Sequence, residues 1–306
     1  ILGYDAEADR DPARVNPNFA ERQSITLELA SQFRRLHQTR GCSFIPMGVA
    51  QGWSPGSYAR SVTALQAMAY EYIALGGMVP LKTKEILESL AMVNEVRDPK
   101  VHLHLLGVTR TEEVKRFAEY GVDSFDSTSP LRQAFKDDTD NYYTLDRTYV
   151  AVRVPQVEGN VKLQQRIRAG QVDHDRARCC EKKCLRLLEE YDVGLAKLPR
   201  VLDAIVEYET IFDGRTSRVE QYAEVLEARP WKQCTCDVCR RIGIHVIIFR
   251  GADRNRRRGF HNVYVFCQRL RRELGAASAP TRTRNPKAPK QSGRNGREQR
   301  TAITCD

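Results

Sequence analysis

The feature that most constrains this chain is an alternation of short apolar runs with amphipathic stretches up to residue 126. Ile1–Tyr4, Ser43–Ala50, Tyr72–Leu75, Val101–Leu106 and Val122–Phe125 read as strands, and they recur at roughly 25-residue intervals. Between the first two, Phe19–Arg40 places Ile25, Leu29, Phe33 and Leu36 on one helical face, and Gly41 stands where a helix C-cap prefers glycine. Helices are also expected over Ser57–Tyr72, over Lys82–Val93 and from Thr111, where Glu112 and Glu113 suit the positive end of the helix dipole. Strand–helix alternation predicts an α/β fold with a parallel sheet and helices outside it. Both an open doubly wound sheet and a (β/α)8 TIM barrel fit the pattern. In a barrel, the polar or glycine residues after the strands (Asp5, Gln51, Gly77, Gly107 and Asp126) would converge on one mouth. A barrel needs eight strands and five are visible, so about three are expected upstream. With Ile rather than Met as its first residue, the chain reads as N-terminally truncated.

After Asp126 the pattern changes. Residues 160–228 are charged and helical in pattern, preceded by Arg153-Val-Pro155-Gln. A cysteine cluster follows, then an apolar strand over Ile244–Phe249 and a basic helix around Arg256 to Leu274. Residues 276–306 have almost no apolar side chains and seven Lys or Arg against two acids, so a disordered basic tail is expected. The expected organisation is a partial barrel domain over 1–150, a helical insertion with a metal-binding subdomain and a last barrel helix over 151–275, and the tail. The net charge of +10 and pI of about 9.2 favour an anionic partner, most often a nucleic acid. No stretch approaches the ~18 apolar residues of a membrane helix, and the start has no secretory pattern. No membrane partner is expected.

Cys234-x-Cys236-x-x-Cys239 can bring three thiolates to one tetrahedral zinc, with the fourth ligand from outside. His245 lies in the apolar strand, whereas His261 lies on a helix that can fold back, so His261 is the preferred ligand. Four protein ligands close the shell and make the zinc structural. Thiols used this way, and an odd total of nine cysteines, suit a reducing, cytoplasmic compartment. Asp126, followed by Ser, Thr and Pro, reads locally as a helix N-cap.

Five segments in order, with the cysteine cluster, resemble the tRNA-guanine (queuine) transglycosylase family: GVAQGW at 48–53, LGGMVP at 75–80, LLGVT at 105–109, GVDSFDSTSPLR at 121–132, and CTCDVC at 234–239 followed by His261-Asn262. The family fold is a (β/α)8 barrel with an inserted zinc subdomain, so the visible strands would be about the fourth to the eighth. The resemblance implies exchange of guanine in a nucleic acid for a 7-deazaguanine. It makes Asp126 the nucleophile that traps the sugar at C1′, giving a covalent glycosyl intermediate and ping-pong kinetics. It makes Asp5, Gln51, Gly76, Gly77 and Leu106 the base-binding residues, on a target nucleotide that has left its stack. Arg132 remains to hold a phosphate, and Arg254, Arg256, Arg257 and Arg258 offer a run of phosphate-tracking cations.

Several positions depart from the family pattern. Trp53 replaces the second glycine after Gln51, Ser127 follows Asp126 where cysteine is usual, Leu131 replaces threonine, and AEADRD follows Asp5. With the extra helical segment, these resemble the branch that inserts 7-cyano-7-deazaguanine into DNA. DNA is therefore the expected nucleic acid, with tRNA as the alternative. A non-catalytic nucleic-acid-binding paralogue is a third reading. A homodimer, or an accessory protein of a DNA-modification system, is the expected protein partner. The family's general acid/base aspartate is expected upstream of Ile1, so these residues alone are expected to be inactive.

Overall fold

The computed structural model describes residues 3–108, 110–136, 140–212 and 218–275. They fall into two compact units. One runs to Pro130 and takes in the chain again from Arg269; the other is Leu131–Gln268. The expected tail over 276–306 lies outside the described residues.

The first unit is built of α1 (Pro17–Thr39), β1 (Met47–Ala50), α2 (Pro55–Ala67), β2 (Tyr72–Leu75), α3 (Thr83–Val96), β3 (His102–Leu105), α4 (Val114–Glu119) and β4 (Val122–Phe125), and ends within α5 (Ser129–Gln133). All four strands are parallel and stand in sequence order, with Met47 opposite Tyr72 and Tyr72 opposite His102. Such order needs a crossover after every strand, which α2, α3 and α4 supply. Helix α2 starts sharply because Ser54 and Ser57 cap it reciprocally and Pro55 fills its first turn.

One face of the sheet is apolar. Ile73, Leu75, Leu103 and Leu105 are buried with Val62 and Leu65 of α2 and with Ile86, Leu90 and Val93 of α3. Each such side chain contributes about 1.5–3 kcal/mol by leaving water. The helices approach closely enough that Gly48 has no room for a side chain: a Cβ there would meet Leu65 at 3.0 Å and Tyr70 at 3.1 Å. On the opposite face Met47, His102, Asp123 and Ser124 are exposed. The β3–β4 pairing slips by one residue: Leu103 faces Val122, but His104 faces Ser124. Asp123 is the extra residue of this bulge.

Near Tyr4 the expected first strand is not formed within the described residues. The chain there is extended, and Asp5 donates its N–H to the Trp53 carbonyl at 2.7 Å. It turns at once into a 3-10 turn over Ala6–Asp9, which ends any ladder; Ile1 and Leu2 lie outside the described residues.

The second unit is mostly helical. It holds β5 (Tyr142–Tyr143), β6 (Thr148–Tyr149), β7 (Val152–Arg153), α6 (Val161–Arg168), α7 (His174–Asp192), α8 (Leu198–Phe212), α9 (Val219–Ala228), α10 (Pro230–Gln233), α11 (Asp237–Ile242), β8 (Ile248–Phe249) and most of α12 (Gly251–Glu273). The strand expected over Ile244–Phe249 shrinks to β8, which pairs in parallel with β7. Its first half is a 3-10 turn, because Gly243 turns at φ +51° and the Asp192 carboxylate takes the Ile244 N–H at 3.1 Å. Among the described residues no helix is long and apolar enough to cross a membrane.

Candidate active site and metal centre

The hydrogen-bond ladder of the sheet continues one step past the strand ends. Gly76 donates to Ala50, Leu106 to Leu75, and Asp126 to Leu105, while Asp5 bonds to Trp53 beyond β1. Asp5, Gln51, Gly76, Gly77, Leu106 and Asp126 therefore line the carboxyl edge of the sheet, where parallel α/β folds place their ligands. Gln51 and Gly76 are in contact: a Cβ on Gly76 would lie 3.2 Å from Gln51 Nε2. Gly77 at φ +78° and Gly107 at φ +75° make the turns that leave the strands, a backbone shape that favours glycine.

Asp126 is not a helix cap here. Its Oδ1 accepts the Gly107 N–H at 2.9 Å and lies 3.2 Å from His104 Nε2, whereas Ser127 Oγ caps the next turn through the Ser129 N–H. The Gly107 N–H, with help from His104, holds the carboxyl below its usual range, so Asp126 is ionised at neutral pH. Its side chain is 56% exposed and His104 only 16%. His104 Nδ1 in turn meets Ser124 Oγ at 2.8 Å, and one step down the strand His102 Nδ1 meets Asp123 at 2.5 Å and stacks on Tyr72. The reading of the sequence missed both histidines. The His102-Leu-His104 alternation was the available signal, since residues two apart on a strand share a face.

The departures around Asp5 explain one another. Trp53 is buried in a small cluster with Ala8, Val15 and Phe19, so the indole is the floor on which the segment after Asp5 folds. Asp9 in that segment reaches the start of α2, accepting from Ser54 Oγ and from the Gly56 N–H, both at 2.7 Å. Asp5 itself accepts from the Glu7 N–H at 3.0 Å and from Arg14 Nε at 3.0 Å.

In the second unit Cys234, Cys236, Cys239 and His261 offer ligand atoms within 4.8 Å of one another. His261 Nδ1 lies 3.6, 3.4 and 3.3 Å from the three sulfurs. A tetrahedral ion with sulfurs at about 2.3 Å and nitrogen at about 2.0 Å sets that edge at about 3.6 Å, so the set fits a metal. Around it, His261 Nε2–H donates to the Tyr143 carbonyl at 2.8 Å, which leaves Nδ1 as the ligand atom. Tyr142 stacks on the imidazole with ring centroids 4.2 Å apart, and its O–H reaches Cys239 Sγ at 3.4 Å. Bonds to Cys234 and Cys239 pull the Cys236 thiol down, while bonds to Cys234 and Cys236 push the Cys239 thiol up. His245 lies apart, 3.4 Å from Glu189.

The arginines divide. Arg132, Arg256 and Arg257 are exposed and Arg254 is partly buried. Arg258 corrects the expectation of a phosphate contact. It is fully buried, and its guanidinium donates to the carbonyls of Ala134, Val246 and Ile248 and to Asn255. Consecutive residues on a helix point about 100° apart, so four arginines spread over five positions cannot share one outer face.

The family model described as Queuine tRNA-ribosyltransferase matches residues 10–272. The chain is 45% identical over 282 residues to a DNA-guanine transglycosylase of Salmonella montevideo, covering 91% of this chain and 67% of that protein. It is 32% identical over 115 residues to a queuine tRNA-ribosyltransferase of Stenotrophomonas maltophilia, which covers 36% of this chain and 30% of that protein. A queuine tRNA-ribosyltransferase of Xanthomonas campestris pv. campestris is 30% identical over 115 residues, 29% of its length.

Proposed function

From the premise that this chain belongs to the queuine tRNA-ribosyltransferase family of transglycosylases, we propose that it takes part in replacing guanine in DNA by a 7-deazaguanine, 7-cyano-7-deazaguanine being the expected base. The observation that carries the reading is the ionised Asp126 carboxylate, accessible at the carboxyl edge of a parallel sheet and held there by Gly107 and His104. Asp126 attacks C1′ of the target nucleotide. The new O–C1′ bond replaces the C1′–N9 bond, whose electron pair leaves with guanine, and guanine takes up a proton from an acid or from water. The incoming base then gives up its N9 proton to a base or to water, N9 bonds to C1′, and Asp126 departs as a carboxylate.

Base recognition falls to the same edge. Asp5 accepts from guanine N1–H and the 2-amino group, Gln51 and the Gly77 N–H donate to O6, and Leu106 packs against the ring. Asp5 hydrogen-bonds to the loop after β1 and Asp126 follows β4, so the two stand at different strand ends. Curling the sheet into a (β/α)8 barrel sets such ends around one mouth, where a single nucleotide touches both. The sequential strand order, with helices packed on one face, supports the barrel over a doubly wound sheet.

The metal is zinc, bound by Cys234, Cys236, Cys239 and His261, and it holds the second unit together rather than reacting. Arg132, Arg254, Arg256 and Arg257 meet the phosphate backbone. DNA is favoured over tRNA by similarity to the DNA enzyme along most of the chain, against 115 residues for the tRNA enzymes. The test is to incubate the complete protein with 7-cyano-7-deazaguanine and either guanine-labelled duplex DNA or tRNA. Release of label from DNA, and a denaturation-resistant protein–DNA adduct lost in Asp126→Asn, is the expected result. Release from tRNA alone would replace the DNA assignment, and an unimpaired Asp126→Asn enzyme would remove the nucleophile.

A further inference from the structure

We propose that His104 is a positioning residue for this transfer: with Gly107 it fixes Oδ1 of Asp126 so that Oδ2 meets the sugar. This deepens the reading above and rests on Asp126 as the nucleophile. Two donors converge on Oδ1, the Gly107 N–H at 2.9 Å and His104 Nε2 at 3.2 Å. Together they fix the carboxylate plane, and Oδ2 remains as the attacking oxygen. The bulge at Asp123 makes this possible, because it sets Ser124 opposite His104, where Oγ meets Nδ1 at 2.8 Å. A neutral ring then satisfies both neighbours: Nδ1 accepts the Ser124 O–H and Nε2–H donates to Asp126.

On the same face His102 and Asp123 are bound to each other and Tyr72 stacks on His102, so these groups leave the His104–Asp126 pair alone.

The experiment measures adduct formation and turnover by the complete protein with guanine-containing DNA. His104→Phe removes the donor and should lower kcat about 100-fold with little change in KM. His104→Gln places an amide N–H near the Nε2 position and should recover at least tenfold over His104→Phe. His102→Gln should stay near the parent rate. A His104→Phe enzyme at the parent rate, or a His104→Gln enzyme no faster than His104→Phe, would overturn the proposal. So would loss of the adduct in Ser124→Ala as complete as in Asp126→Asn, which would make the serine the nucleophile. Full activity of Asp126→Asn would instead defeat the underlying function and leave the two failures distinct.

Discussion

Withdrawing the metal should loosen the second unit and leave the sheet edge of the first standing. Cys236, Cys239 and His261 are buried, and the sulfurs and ring sit 3.3–3.6 Å apart within the core of that unit. Without an ion three thiols and an imidazole are left crowded in that core with nothing to bridge them. If free zinc is held about 1,000-fold above its dissociation constant, binding stabilises the folded unit by about 4 kcal/mol. At about 2–4 °C per kcal/mol, removal lowers the melting temperature by about 8–16 °C. The chain's two tryptophans allow a clean assay, because Trp231 belongs to the second unit and Trp53 to the first. Trp231 is buried next to the cluster with its N–H on Asp192 at 2.8 Å, so its emission reports that packing. In Trp53→Phe protein, a chelator should release one zinc per chain and shift the Trp231 transition; in Trp231→Phe protein the Trp53 transition should move far less. A chain that binds no zinc, or a Trp231 transition unmoved by its removal, would refute the reasoning.

Restoring the family's glycine with Trp53→Gly should destabilise the first unit by about 3–5 kcal/mol in urea unfolding, since a buried indole leaves a large cavity. An unchanged unfolding midpoint would show that the Ala8, Val15 and Phe19 cluster does not depend on it. Arg258→Met should cost about 3 kcal/mol or more by stranding three buried carbonyls, whereas Arg256→Ala and Arg257→Ala should leave stability alone and each lower the salt slope of DNA binding by about 1. The carboxyl signal of Asp126 should titrate below the usual aspartate value of about 3.9. Its folded pKa is lowered, so its contribution to stability is present above the unfolded value and fades as pH falls through the folded one. Titration at or above the usual value would remove the Gly107 bond from the account.

Much of the first unit could be read from the chain. β2 and β4 begin and end where strands are expected over Tyr72–Leu75 and Val122–Phe125, and for β2 the reason is plain: a strand buried against helices needs a compact apolar run. The Cys234, Cys236, Cys239 and His261 cluster was legible for a different reason: three cysteines within six residues point to one shared site. What escaped depended on partners distant in sequence. Trp53 looks like a blemish in a glycine motif until Ala8 and Phe19 are found beneath it. Arg258 looks like its neighbours until the helix turns it inward. His104 becomes a partner of Asp126 only once a one-residue slip between strands is known, and no local pattern announces a slip.

That slip also limits how this strand can be exchanged among relatives. A β4 paired with β3 in plain register would set Asp123 opposite His104 and carry Ser124 and Asp126 one rung further on, uncoupling both histidine pairs at once. The two strands thus form one heritable module. A chimera that grafts the 121–126 segment alone should fold its core and lose the alignment of Asp126 with His104, whereas one that transplants 102–126 intact should keep it.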